Sequence, residues 1–241
     1  MQVCVPLSAE DFAQIRAAFE EYSVVAFRGQ DLNDTGHIAF SQRFGPLETT
    51  VKGNPAAGSK FARQSNLDIE TGEVIPPEGG NTEFATGRAA RDDLSPVLKR
   101  DISGRFAVHS QMHTLSLVAG EVITEEMRKE IAPVDQPMVR VNPVNGRRNI
   151  FLGMHAFRVL GMEEEAARQL IADVNAHLTQ PRYVYSHAWQ AGDLVMRDNR
   201  AVLHRATPYD AVKYKRMLQR TTVAGDAEAY RREREAHAVA A

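Results

Sequence analysis

In LSAEDFAQIRAAFEEY, Phe12, Ile15 and Phe19 recur at helical spacing behind Ser8, a good N-cap, so a helix is predicted here. SVVAF is a short apolar run closed by Gly29 and reads as a buried strand. DTGHIAFSQRF reads as a second helix, stopped by Gly45-Pro46. From Thr49 to Gly80 the periodicity disappears, and Gly53, Pro55, Gly58, Gly72, Pro76, Pro77, Gly79 and Gly80 mark a long loop-like stretch. LSPVLKRDI predicts a helix with Ser95 as cap and Pro96 at its first position. MVRVNPVNGRRNIFLG is two apolar segments about Asn145-Gly146, the pattern of a hairpin. GMEEEAARQLIADVNAHLTQP predicts an amphipathic helix with acids in its first turn and Ala166, Leu170, Ile171 and Val174 along one side. RYVYSHAW and DLVM read as strands, and a strand is expected over Ala201–Ala206 with another over Arg216–Val223. The tail EAYRREREAHAVAA is charged and reads as a solvated or frayed helix.

Composition narrows the class more than the activity. The 241 residues are 43% hydrophobic and 25% charged, ordinary globular values. One domain over 1–226 is expected, followed by the charged tail at 227–241. A formal net charge of −2 gives no electrostatic footprint for nucleic acid. Cys4 is the only cysteine, so no intrachain disulfide can form and a reducing compartment, the cytoplasm, is expected. No apolar run nears the roughly 18 residues of a membrane span, and no membrane partner is expected.

The chemistry gathers in RDNRAVLHRATPYDAVKYKRMLQRTTVAGD. His204 lies in an apolar run, and imidazole is the commonest metal ligand. Arg216 follows twelve positions later. If the two expected strands lie side by side, His204 and Arg216 could face one cavity, with Arg216, Leu218 and Arg220 on one strand face. The bland alternative is a hydrogen-bonded histidine beside a solvated arginine face.

Four stretches resemble the TauD/TfdA family of iron(II)- and 2-oxoglutarate-dependent oxygenases: DNRAVLHRATPYD, RMLQRTTVAGD, PPEGGNTEF with RAARDDLS, and SVVAFRGQDLNDTGHIAFSQRFGPLE. GGNTEF and HAWQAGDLVM are similar to the TfdA-like branch. The resemblance implies a mainly β fold with flanking helices, a double-stranded β-helix or jelly roll. It implies His204 as the distal iron ligand and Arg216 as partner of the far carboxylate of 2-oxoglutarate. It also implies Thr82 as a hydroxyl donor to that cosubstrate, and Arg220 as a second arginine near the cosubstrate or the substrate's acid group. Asp198 and Asn199 shape the turn before His204. The expected function is dioxygenation, with molecular oxygen, of a small carboxylate, aryloxyalkanoate-like in this branch. Homo-oligomers are compatible with it.

The sequence departs from the family in one place that matters. The family's His-x-Asp motif supplies the other histidine and the carboxylate ahead of the GGxT threonine. Here no histidine lies between His37 and His109, and none in the chain is followed two positions on by Asp or Glu. Two family-like loops run together near Val74–Pro77, as though a few dozen residues were absent. The competing expectation is therefore a non-catalytic member that keeps the arginine pocket without iron. A cupin-like isomerase would need several clustered ligands, which the sequence does not offer. In a smaller departure, Arg197 stands where the family usually has tryptophan before DN, and an unpaired buried guanidinium is costly.

Overall fold

The computed structural model describes residues 2–3, 6–50, 58–65, 80–119, 131–210 and 216–225. The Val74–Pro77 junction, Cys4 and the 227–241 tail lie outside these.

Local sequence accounts for most elements. Helix α1 (Ala9–Tyr22) begins where Ser8 Oγ accepts from the Asp11 N–H at 3.0 Å. It is followed by β1 (Val24–Phe27) and α2 (Asp34–Gln42), the latter capped by Asn33. β1 is half-buried, less covered than its apolar run suggests. The aperiodic stretch after Thr49 is not all loop: Ala62–Ser65 form strand β2. Strand β3 (Thr82–Thr86) runs into α3 (Gly87–Asp93), then α4 (Pro96–Ile102) with Ser95 Oγ on the Leu98 N–H. β4 (Phe106–His109), α5 (Gln111–Ala119), β5 (Val134–Pro137), β6 (Val139–Val141), β7 (Arg148–Ile150) and β8 (Ala156–Val159) follow. β6 and β7 form the antiparallel hairpin expected about Asn145-Gly146, where Gly146 takes φ +68°. Helix α6 (Glu164–Leu178) buries Ala167, Leu170, Ile171, Val174 and Leu178; Leu170, Ile171 and Val174 are buried as expected, and Ala167 takes the place of Ala166, which is exposed. Strands β9 (Val184–His187), β10 (Leu194–Arg197), β11 (Val202–Ala206) and β12 (Met217–Arg220) complete the order.

The sheets are small: β1-β10, β11-β3-β9, β12-β2, β5-β4-β8 and β6-β7. This corrects one expectation. β11 and β12 are not paired: β12 takes β2 antiparallel, Arg220 opposite Ala62, while β11 takes β3. The partner of β12 lies inside the stretch with no periodic signal, which is why sequence proximity misled. The chain forms two compact units. The first holds Met1–Glu83, Ser186–Arg197 and His204–Tyr230; the second holds Phe84–Tyr185, Asp198–Leu203 and Arg231–Ala241. In the first, Val3, Ile15 and Phe40 are buried with Phe27, Phe44, Leu194 and Met196 against them. In the second, the buried face of α6 packs with Leu94, Ile102, Ala107, Met138 and Val159. The fold is mainly β with flanking helices; the sheets of the described residues do not close a barrel.

Candidate functional site

Thr82, Arg216 and His204 all belong to the first unit. Thr82 opens β3 and is buried. β11 runs beside it: the Thr207 N–H donates to Asn81 O at 2.9 Å, and Arg205 Nε donates to Glu83 Oε2 at 2.6 Å. Side chains alternate across a strand. Arg205 and Glu83 therefore occupy one face, and His204 with Ala206 share the other with Thr82. His204 is exposed.

Arg216, just before β12, brings its guanidinium NH2 to 3.4 Å from Thr82 Oγ1, a long contact. The Trp189 indole N–H donates to the same oxygen at 2.9 Å. Trp189 follows β9 in HAWQAGD, whose tight turn closes with Asp193 N–H on Gln190 O at 3.1 Å and Gly192 at φ +80°. Behind the indole lies a buried carboxylate. Asp193 Oδ2 accepts from the Gln190 N–H at 2.8 Å and from Arg28 at 2.5 Å, and pairs with His187 Nε2 at 3.0 Å. Burial works to raise the Asp193 carboxyl, but these partners outweigh it and hold it below its ordinary value. The His187 ring, fully buried, meets Trp189 edge-on with centroids 4.7 Å apart.

Arg220 lies at the other end of β12. It is exposed near the end of the β12-β2 pair and influences Arg197, whose guanidinium is pulled down to about 10, by burial first and Arg220 second. Arg216 precedes the strand, so the expected strand face shared by Arg216, Leu218 and Arg220 does not include Arg216.

Among the described residues no three His, Cys, Asp or Glu side chains come together to hold a metal ion. With no His-x-Asp or His-x-Glu in the sequence, the described residues do not fit a complete iron site; His204 is the ligand-type side chain expected there. A carboxylate, by contrast, suits a threonine hydroxyl beside an arginine fork. Trp189, His187, Asp193 and Arg28 were not predicted as site residues; the legible signal was the His-x5-Asp turn around HAWQAGD.

The sequence profile of "Taurine catabolism dioxygenase TauD, TfdA family" matches residues 3–68 and 71–222. An alpha-ketoglutarate-dependent 2,4-dichlorophenoxyacetate dioxygenase of Burkholderia sp. strain RASC is 32% identical over 260 aligned positions, covering 91% of this chain and 87% of that protein. Since 91% of 241 residues is about 219, about 40 aligned positions face no residue of this chain. A (S)-phenoxypropionate/alpha-ketoglutarate-dioxygenase of Sphingobium herbicidovorans is 31% identical, covering 88% and 85%. A crystal structure of AAD-2 in complex with Mn(II) and N-oxalylglycine aligns with TM-score 0.76 at 33% identity, over 93% of this chain and 91% of that one. A profile match from Val3 to Thr222, joined to relatives above 30% identity along nearly their whole length, places this chain in the TauD/TfdA family of dioxygenases.

Proposed function

We propose that this chain is a 2-oxoglutarate-dependent dioxygenase acting on a small carboxylate of the aryloxyalkanoate type. The meeting of Arg216 and Trp189 on Thr82 carries the cosubstrate part of this reading. A guanidinium and a hydroxyl beside each other offer two donors to one carboxylate, and in a part-buried site such charge-assisted bonds are about twice as strong as neutral ones. Arg216 then anchors the far carboxylate of 2-oxoglutarate, with Thr82 fixing its orientation. Arg220 is left for the acid group of the substrate. The aryloxyalkanoate class rests on the relatives, whose names specify 2,4-dichlorophenoxyacetate and (S)-phenoxypropionate.

His204 shares its strand face with Thr82 and is the residue we assign to iron(II), the metal the family resemblance implies. Among the described residues no three ligand-type side chains gather to hold a metal, so the share of the chemistry read here for the protein is recognition and orientation of the two acids. We further read both units as parts of one jelly-roll domain over 1–226. A cytoplasmic setting is inferred from the lone cysteine; no helix among the described residues is long and apolar enough to cross a membrane.

Calorimetric titration with 2-oxoglutarate tests the pocket. Arg216→Ala should lose about 1.5–3 kcal/mol of binding, the range for a hydrogen bond to a charged group, and Arg216→Lys less. Equal binding by all three proteins would refute the site. A second reading, a member that binds the dicarboxylate but does not turn it over, is favoured by one observation: the chain has no His-x-Asp or His-x-Glu. Manganese binding followed by electron paramagnetic resonance, with succinate release in the presence of iron(II) and 2,4-dichlorophenoxyacetate, separates the two.

A further inference from the structure

Thr82 Oγ1 has a hydrogen-bond inventory that constrains its proton. A hydroxyl has two acceptor lone pairs and one O–H. Trp189 Nε1–H fills one acceptor site at 2.9 Å, and Arg216 NH2 approaches the other at 3.4 Å. Among the bonds of the described residues Oγ1 accepts twice and donates to nothing. A buried hydroxyl approached by two donors can turn its own proton only toward a third group, and that group must be an acceptor. Donation into the oxygen also makes its O–H a stronger donor. The arrangement thus selects an acceptor oxygen and rejects an ammonium or another N–H at this point, and the Arg216 guanidinium beside it favours an acceptor that is charged.

We propose that Trp189 is a positioning residue for the cosubstrate. Its indole N–H holds Thr82 with the hydroxyl proton aimed at the 2-oxoglutarate carboxylate, and the Asp193–His187 pair holds the indole. The inference rests on the dicarboxylate reading of Thr82 and Arg216. The support behind Trp189 is built, not incidental. The His187 ring abuts it edge-on, both His187 and Asp193 are fully buried, and three groups converge on Asp193 Oδ2. Arg28, half exposed, closes this set from the solvent side. A tryptophan needed only for packing would not require its N–H to end on the one hydroxyl that also meets Arg216.

Trp189 is the sole tryptophan of the chain, so its emission reports this bond directly. Four full-length proteins are compared by calorimetry with 2-oxoglutarate: wild type, Thr82→Val, Trp189→Phe and the double variant. Each single change should weaken binding about five- to tenfold, the size of one lost hydrogen bond to a charged network. The double variant should be no weaker than Thr82→Val, within about twofold, because the indole acts through the hydroxyl. Thr82→Ser should restore binding. Wild-type emission should change saturably with 2-oxoglutarate at the calorimetric Kd, and unliganded Thr82→Val should emit to the blue of wild type. Wild-type binding with Trp189→Phe unchanged, or single losses that multiply in the double variant, overturns the proposal alone. Absence of any saturable heat with wild type overturns the dicarboxylate reading and this proposal with it. Should Trp189→Phe fail to fold by circular dichroism, emission decides: identical spectra of unliganded wild type and Thr82→Val overturn the bond.

Discussion

Asp198 and Arg200 form a two-point fork across a single intervening residue: Nε lies 2.9 Å from Oδ1 and NH2 lies 3.0 Å from Oδ2. The Arg200 N–H adds a bond to Oδ1 at 2.9 Å, and the Asp198 carbonyl accepts from the N–H groups of Ala201 and Val202. The turn before His204 is therefore wound around one carboxylate, as DN before a strand suggested. Arg88, only 2% exposed at its side chain, stands 3.8 Å from Oδ2. Removing one partner of a buried ion pair leaves the other charge uncompensated, which costs about 3–5 kcal/mol. Asp198→Ala should lower the unfolding free energy by that amount in urea, and Asp198→Asn by less. A loss under 1 kcal/mol would show the fork to be ornamental.

Gly87 begins α3 where backbone comes closest to backbone. Its N–H donates to Ala201 O at 2.8 Å, and a Cβ built on it would lie 2.6 Å from Ile150 O and 3.2 Å from Ala201 O. Neither oxygen is on a side chain that can swing away. Overpacking of this kind costs about 1–3 kcal/mol, so Gly87→Ala should lower the thermal midpoint by several degrees. Gly104, with a positive φ but open space around it, offers a control: Gly104→Asn should be nearly neutral, since asparagine tolerates that backbone region.

These two sites show what the chain discloses in advance. Ser8, Ser95, Asn145-Gly146 and the α6 stripe act over a few residues, and the local pattern disclosed them. The one change in the α6 face, Ala167 for Ala166, arises because Ala167 stands at i with Leu170 and Ile171 at i+3 and i+4, the spacing of a packed helix face. The β12-β2 pairing and the Trp189–Thr82 bond join residues far apart in sequence, and no local periodicity encodes such partners. The functional stretch around His204 was legible through family resemblance alone; spacing left it as a histidine near arginines.

His109 on β4 should make stability depend on pH. Its ring is pushed down to about 4 from an ordinary 6.5, by burial first and by His155 second, and its Nε2 is buried with no hydrogen-bond partner among the described residues. The unfolded chain takes up a proton near 6.5 while the folded one does not until about 4. This contribution is therefore full above 6.5 and is lost as pH falls from 6.5 toward 4. Because the ring is only partly covered, the swing should be about 1–2 kcal/mol, well under the full linkage value. Urea unfolding at pH 7.5 and pH 5 should show a smaller difference for His109→Gln than for wild type; parallel losses in both proteins would assign the acid sensitivity to other groups.

Arg197 ends β10, paired with Val24 of β1, at the position where the resembling family carries tryptophan. Its depression to about 10, by burial and then by Arg220, means that the charged form is less at home in the folded chain than in the unfolded one. The sign is that of a depressed base: the penalty is full at every pH below about 10 and fades only as pH rises above it toward the ordinary arginine value. It therefore acts in full at neutral pH. Burial is the larger cause of that depression; an apolar side chain of similar reach avoids the desolvation of a charge, a change often stabilising by about 1–4 kcal/mol, and partial exposure argues for the lower half of that range. Arg197→Met should raise the unfolding free energy at pH 7 by about 1–2 kcal/mol. If Arg220 instead needs a second cation beside it to hold a substrate acid, the same variant should bind 2,4-dichlorophenoxyacetate more weakly while its affinity for 2-oxoglutarate is unchanged. A gain in stability with both affinities intact would assign Arg197 to cost alone; a loss of stability would show that its contacts more than offset its burial.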